Sequence, residues 1–212
     1  MRLRRGLAVT LLAALASRAQ PLKSAASSGR GEGGRVLWCE TAAYTAVDTD
    51  GFIRDEARRR RVIEQDCRYS WRRGRRVCDH KDDTTLHTAD GLALDPTAVR
   101  YVVVGRESGI PVGTPAVVMD LETGRSYAAV VGDVGPRIGE VSLKLARDLE
   151  PASGPRNGID RPLVYTFFMG ARVSASDQED LLTALAEDGP ALIDAAWRDS
   201  PFDGIIHLAS AR

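Results

Sequence analysis

In the run VVGDVGPRIGEVS, residues 130–142, two carboxylates stand on glycine-flanked bends either side of a Gly-Pro turn. Asp133 follows the apolar run 128–131 and Gly132, while Glu140 follows Gly139 and lies just before Ser142. An acid at the end of a buried strand must be exposed or hydrogen-bonded, because burying charge is costly. Glycines beside it let a ligand or another stretch of chain approach the backbone closely. Turn structure alone accounts for an Asp, and a Glu here would also complement the start of a helix dipole. As a pair, the two acids suit cleavage of a glycosidic bond by general acid–base work. One, kept protonated, donates to the leaving oxygen, and the other, ionised, activates water. The intervening chain can set the carboxyl groups roughly 6.5–9.5 Å apart, the inverting arrangement, or closer. The sequence leaves that distance open.

Other chemistries find less support. Ser142 has no G-x-S-x-G elbow, and His80, His87 and His207 show no triad pattern. No glycine-rich phosphate loop occurs. The cysteines Cys39, Cys67 and Cys78 include no C-x-x-C, so neither a metal nor a cofactor is expected. Three cysteines allow one bridge and leave one thiol. Cys67–Cys78 would close a short loop, and Cys39 competes for either partner. Trp38, Tyr44, Tyr69 and Trp71 could stack on sugar faces, but core or surface packing is the expected role of each.

The elements that must position the acids read as mostly β. Apolar runs at 101–104, 115–119, 126–131 and 163–168 are short, β-branched and punctuated by Gly, Pro, Asp and Asn. Such runs predict a barrel or sandwich rather than alternating β-α units. Residues 35–50 add strand-forming sequence that ends on a turn signal at Asp48-x-Asp50-Gly51. One core helix is expected at 142–149, where Leu143, Ala146 and Leu149 share a face and Ser142 is the N-cap. A capping box at 176–179 opens a further helix to about Glu187, and a second is expected over 191–197. Together they form a C-terminal helical appendage over 173–212 that packs on the barrel.

The first 19 residues read as a secretory signal: MRLRR is basic, GLAVTLLAALA is apolar but too short to span a bilayer, and Ser17-Arg18-Ala19 supplies the small residues before cleavage. Residues 20–34 read as a flexible linker. The mature protein is therefore expected to be secreted, with no membrane partner once the signal is removed. The chain is neutral overall, with 29 basic and 29 acidic residues. Its one concentration of charge is the arginine-rich stretch 54–76. Asp55, Glu56, Glu64 and Asp66 partly neutralise that stretch, which reads as an exposed insert rather than a nucleic-acid site.

The segment YAAVVGDVGPRIGEVSLKLARDL resembles the core motif of the chitosanases of glycoside hydrolase family 75: a strand, Gly-Asp, a short loop, Gly-Glu-x-Ser and a helix. VDTDG at 47–51, the stretch 82–104 and VYTFFMG at 164–170 resemble further pieces of that family in the same order, so that about residues 40–171 are covered. The resemblance implies a secreted endo-acting hydrolase of β-1,4-linked glucosamine polymers, working with inversion as a monomer and without a cofactor. It makes Glu140 the general acid and Asp133 the general base. Asp48 and Asp50 then lie near the cleft, where carboxylates would hold the ammonium groups of the substrate. Thr49 stands where the family carries a cysteine, and Ala46 where it carries another Asp, so a family bridge is lost or rerouted to Cys39. The Gly-Asp-x-Gly-Pro turn also resembles double-psi β-barrels. That likeness implies a double-psi-like fold and two alternative functions: a peptidoglycan-active lytic enzyme using a single Asp, or a non-catalytic wall-binding barrel.

Overall fold

The structure is a computed structural model that describes residues 29–30, 36–67, 69–72, 74–78 and 80–199. The expected signal, most of the linker, and the chain end with His207 lie outside the described residues. The strands are β1 (Gly29–Arg30), β2 (Val36–Ala42), β3 (Ala46–Asp48), β4 (Tyr69–Arg72), β5 (Arg75–Cys78), β6 (Tyr101–Gly105), β7 (Pro115–Asp120), β8 (Ser126–Gly135), β9 (Glu140–Ser142) and β10 (Leu163–Met169). The helices are α1 (Glu56–Asp66), α2 (Leu143–Leu149) and α3 (Gln178–Asp199). The fold is mostly β, as the punctuated apolar runs predict. A curled mixed sheet has the order β1-β2-β10-β7-β8-β6-β9-β3, and β4 and β5 form a separate hairpin.

Alternation along the strands divides the apolar residues between the two faces of the sheet. On one face, Val102, Val104, Ala129, Val131, Val141, Tyr165 and Phe167 pack with Leu145, Ala146 and Leu149 of α2. Ser142 caps that helix, its hydroxyl accepting from the Leu145 N–H at 3.2 Å. On the other face, Val117, Met119, Val164 and Phe168 meet Leu192 and Ala196 of α3. Tyr101, Val103 and Val130 meet Leu181 and Leu185 of the same helix.

Four features differ from the sequence reading. α3 is one continuous helix, with Pro190 inside it, rather than two. Its apolar stripe, Leu181, Leu185, Leu192 and Ala196, keeps helical spacing across the Gly-Pro pair, and Gly189 lets the helix approach Ala128 closely. Burial of that stripe outweighs the hydrogen bond that proline removes. The N-cap is Asp177, whose carboxylate accepts from the Glu179 and Asp180 N–H groups, one position on from the expected box. Within the arginine-rich stretch, α1 forms on a single buried residue, Val62, which packs with Ile53 and Leu143. Finally, Gly29–Arg30, inside the expected linker, pair with Val36–Leu37.

Strands β6 and β8 run parallel with Tyr101 opposite Val130 and Val102 opposite Val131, yet Val103 lies opposite Asp133. Gly132 is the extra residue of a β-bulge. A Cβ on Gly132 would lie 2.7 Å from Tyr101 Cβ and 2.9 Å from Leu94 Cδ1. Gly132→Ala is therefore expected to destabilise the fold by about 1–3 kcal/mol through overpacking, measured by urea denaturation.

Candidate functional site

The bulge decides which face Asp133 occupies. Strict alternation after Val131 would put Asp133 on the side of α2, among the residues around Tyr165. The inserted glycine instead puts it level with Val103, while Val134 takes the place beside the α2 core. On the far side of β6, β9 pairs antiparallel with Val103 opposite Glu140. Asp133, Val103 and Glu140 thus form one row across three neighbouring strands, with side chains on one face. Their outer Cα atoms stand two strand spacings apart, roughly 9.6 Å. Gly135, two residues beyond Asp133, leaves room for Glu140 to lean inward. A Cβ there would lie 3.4 Å from Glu140 Oε2 and 2.9 Å from Val103 Cγ1.

Asp48 and Asp50 join this face through β3, which pairs parallel with β9, Ala46 opposite Glu140 and Asp48 opposite Ser142. The Asp48 carboxylate accepts from the Asp50 N–H at 2.9 Å. The fully buried Tyr101 donates its hydroxyl to the Asp50 carbonyl at 2.8 Å. Asp50 accepts from the Lys81 N–H at 2.9 Å and faces the Lys81 ammonium at 3.8 Å. A Cβ on Gly51 would lie 2.1 Å from the Leu94 carbonyl oxygen, so the turn after Asp50 needs glycine. The structure therefore brings all four sequence-expected acids together, through β3, β8 and β9.

Burial, and after it the crowding of like charges, shapes their protonation. Burial, and the neighbouring Asp50, Asp133 and Glu140, push Asp48 up to about 8 against the pull of the Asp50 N–H. Burial also raises Glu140, with Asp133 and Asp50 adding to the effect and Arg137 opposing it. Asp50 is raised by burial, with Lys81 and His80 opposing. These are the conditions that keep a carboxylic acid protonated as a donor.

Asp133 is held differently. Its Oδ1 accepts from the Thr85 N–H at 3.0 Å, from the Thr85 hydroxyl, and from the Val134 N–H at 2.8 Å. Thr85 sits in the loop after Asp82 and Asp83 and fixes the orientation of Asp133. Thr85 and Tyr101 are parts of the site that composition and periodicity missed.

Behind Asp50 lies His80, its side chain 3% exposed, with Nδ1 3.7 Å from Asp66 and Nε2 3.4 Å from Asp82. Burial alone would lower its pKa, but Asp66, Asp50 and Asp82 together raise it. The Cys67–Cys78 disulfide, with Cα atoms 5.0 Å apart, closes the base of the β4–β5 hairpin. Cys39 is buried outside that bridge, its sulfur 3.5 Å from the Thr166 hydroxyl. The rerouted bridge to Cys39 does not form. Among the candidate sugar-stacking residues, Tyr44 is exposed and its hydroxyl accepts from the Gly158 N–H at 3.1 Å. A cavity between α3 and the sheet, lined by Phe168, Arg172, Leu185 and Asp188 among others, contains none of the four acids. No helix among the described residues is long and apolar enough to cross a membrane.

No protein-family model matches the chain, and no curated protein matches it. The geometry of the four acids therefore stands on its own beside the motif resemblance.

The raised Asp48 carries a stability consequence. Its proton is held more tightly in the folded than the unfolded state, whose value is 3.8, so the stabilisation is complete below that value and lost as pH rises through about 8. The melting temperature is expected to fall across that window, and Asp48→Asn should flatten the fall. A variant with the unaltered pH profile would contradict the assignment.

Proposed function

We propose that the protein is a secreted endo-acting glycoside hydrolase of β-1,4-linked amino-sugar polymers, with chitosan as the reference substrate, working by inversion through Glu140 and Asp133. The observation that carries this reading is the shared row across β8, β6 and β9, with both acids opposite Val103. A separation of two strand spacings leaves room for a sugar and a water between the carboxyl groups. Glu140 is the general acid. Its raised pKa lets it give a proton to the glycosidic oxygen as the bond from the anomeric carbon breaks. Asp133, oriented through Oδ1 by Thr85 and the Val134 N–H, is the general base and uses Oδ2. It takes the proton of the water that attacks the opposite face of the ring. Glu140 ends ionised and Asp133 protonated, and a proton exchange with solvent resets the pair.

Asp48 and Asp50 are the proposed contacts to the amino groups of the sugar. Asp48 is protonated at neutral pH in the free protein, so an incoming ammonium group would displace its proton rather than meet a ready charge. The Cys67–Cys78 bridge fits an oxidising compartment and supports the secreted reading. The resemblance of residues 40–171 to family 75 chitosanases supports the substrate class, and the polysaccharide is the only partner the reading requires.

Reducing-end release from chitosan, chitin and purified peptidoglycan tests this reading. Glu140→Gln and Asp133→Asn should each lower chitosan hydrolysis by about 10²–10⁴-fold, the usual worth of a positioned acid or base. No release from chitosan at mildly acidic and neutral pH would overturn it. Full activity of Glu140→Gln on peptidoglycan would transfer the site to a single-Asp lytic enzyme. Thr85→Val, which removes the hydroxyl donor but not the backbone one, should cost about tenfold in kcat with little change in KM, as expected for one charge-assisted hydrogen bond.

A further inference from the structure

We propose that Tyr44 is a sugar-stacking platform on the Glu140 side of the site, where its exposed ring carries the apolar face of a pyranose in the part of the polymer that leaves. The choice of leaving side rests on the function proposed above, with Glu140 as the acid. The platform itself rests on the fold.

The local structure puts the ring on the face of the acids. Thr45 bridges Ile159 antiparallel, its N–H donating to the Ile159 carbonyl at 3.0 Å and its carbonyl accepting from the Ile159 N–H at 2.8 Å. The Thr45 hydroxyl lies 2.6 Å from that of Tyr165, in the cluster packed on α2. Side chains alternate along extended backbone. Tyr44 and Ala46 therefore lie on the side away from Thr45, and Ala46 stands opposite Glu140. Two positions along the chain and one strand spacing across set the Tyr44 and Glu140 Cα atoms roughly 8 Å apart, a span of about one or two sugar rings. β3 ends the sheet, so no further strand of the sheet stands beyond Tyr44.

Tyr44 is exposed and yet held. At 49% it is the most exposed of the large apolar side chains among the described residues. Its phenol oxygen accepts from the Gly158 N–H at 3.1 Å, and a Cβ on Gly158 would lie 2.6 Å from that oxygen and 2.7 Å from Cζ. The far end of the ring is thus pinned against backbone where only glycine fits. The near end is fixed through the residue before Glu140. A Cβ on Gly139 would lie 3.3 Å from the Tyr44 carbonyl oxygen, and the Gly139 carbonyl accepts from the Ala46 N–H at 2.7 Å.

A ring with half its surface in water forgoes hydrophobic burial, and a pinned ring has lost its rotamer freedom before any ligand arrives, which favours binding. In β-1,4-linked glucosamine the substituents are equatorial and the axial C–H groups leave both ring faces apolar. Such a face matches a flat aromatic surface, and tyrosine adds a polar tip. Because the phenol oxygen accepts from Gly158, its own proton can turn to an acceptor on the sugar.

Binding of a glucosamine hexamer to the full, oxidised chain tests the proposal, with Asp133→Asn as background to stop turnover. Calorimetry gives the affinity, and proton NMR reads the upfield shift of sugar ring protons lying over an aromatic face. Tyr44→Ala should weaken binding by about tenfold, the usual worth of an aromatic contact, and abolish the shift. Tyr44→Phe and Tyr44→Trp should keep both, which a merely structural hydroxyl would not allow. In the active protein, Tyr44→Ala should raise KM for chitosan with kcat nearly unchanged, as for binding shared by ground and transition states. If Tyr44→Ala fails to fold, Tyr44→Leu decides by the same criteria, since leucine fills the space without a flat face. Absence of hexamer binding, an unaltered affinity and shift in the folded alanine variant, or equal losses in the alanine and phenylalanine variants would each overturn the proposal. Unaltered chitosan kinetics in Tyr44→Ala would sink the platform and leave the hydrolase standing. Hexamer binding that depends on Tyr44, in a protein that releases no reducing ends, would uphold the platform and remove only the hydrolysis and its leaving side.

Discussion

The arrangement depends on one inserted residue. Gly132 shifts the register between β6 and β8 by one position, and that shift moves Asp133 from the side of the α2 core to the row of Val103 and Glu140. Only glycine fits, because the Tyr101 ring and Leu94 occupy the space a side chain would need. Without the bulge, an aspartate would be driven into the apolar cluster around Tyr165, where an unpaired carboxylate is costly. With it, Asp133 meets the N–H and hydroxyl of Thr85. The bulge thus links the packing of β8 to the electrostatics of the site.

Around that point the sheet gathers acids that repel one another. β3 and β9 run parallel and place Asp48 beside Ser142 and Ala46 beside Glu140, while Tyr101 ties its hydroxyl to the Asp50 carbonyl. The repulsion is met in two ways. Asp48 and Glu140 hold protons more tightly than free carboxylic acids do, and Lys81 and Arg137 offset part of the charge at Asp50 and Glu140. Helices on both faces keep the sheet rigid enough to sustain the crowding: α2 on the Tyr165 side, and α3 beneath Tyr101 and Val130.

Much of this was legible in the sequence, for physical reasons. The apolar runs at 101–104, 115–119, 126–131 and 163–168 became strands because β-branched residues bounded by turn residues have few alternatives. Leu143, Ala146 and Leu149, behind the Ser142 cap, formed α2 as their spacing predicts. Asp133 and Glu140 could be singled out because glycines flank them, whereas Asp48 and Asp50 joined them only through the family resemblance. What remained hidden was non-local. A bulge in β8 is defined only against β6, so Gly132 read only as a glycine that admits a close approach to the backbone beside Asp133. Thr85 matters only because its loop folds back 48 positions in sequence to reach Asp133. The Gly189-Pro190 pair suggested a break in α3, yet the stripe from Leu181 to Ala196 continues through it, and burial against the sheet prevailed.

The central claim is that Asp133 and Glu140 act together from opposite sides of one sugar ring. The anomeric form of the first product tests this most directly, by proton NMR during the opening minutes of chitosan hydrolysis, before mutarotation blurs the signal. A β-1,4 linkage cleaved by a water set between the carboxyl groups of two acids whose Cα atoms stand two strand spacings apart must yield the α-anomer first. Initial appearance of the β-anomer would mean a covalent intermediate on a closer carboxylate. It would contradict the pairing across β6.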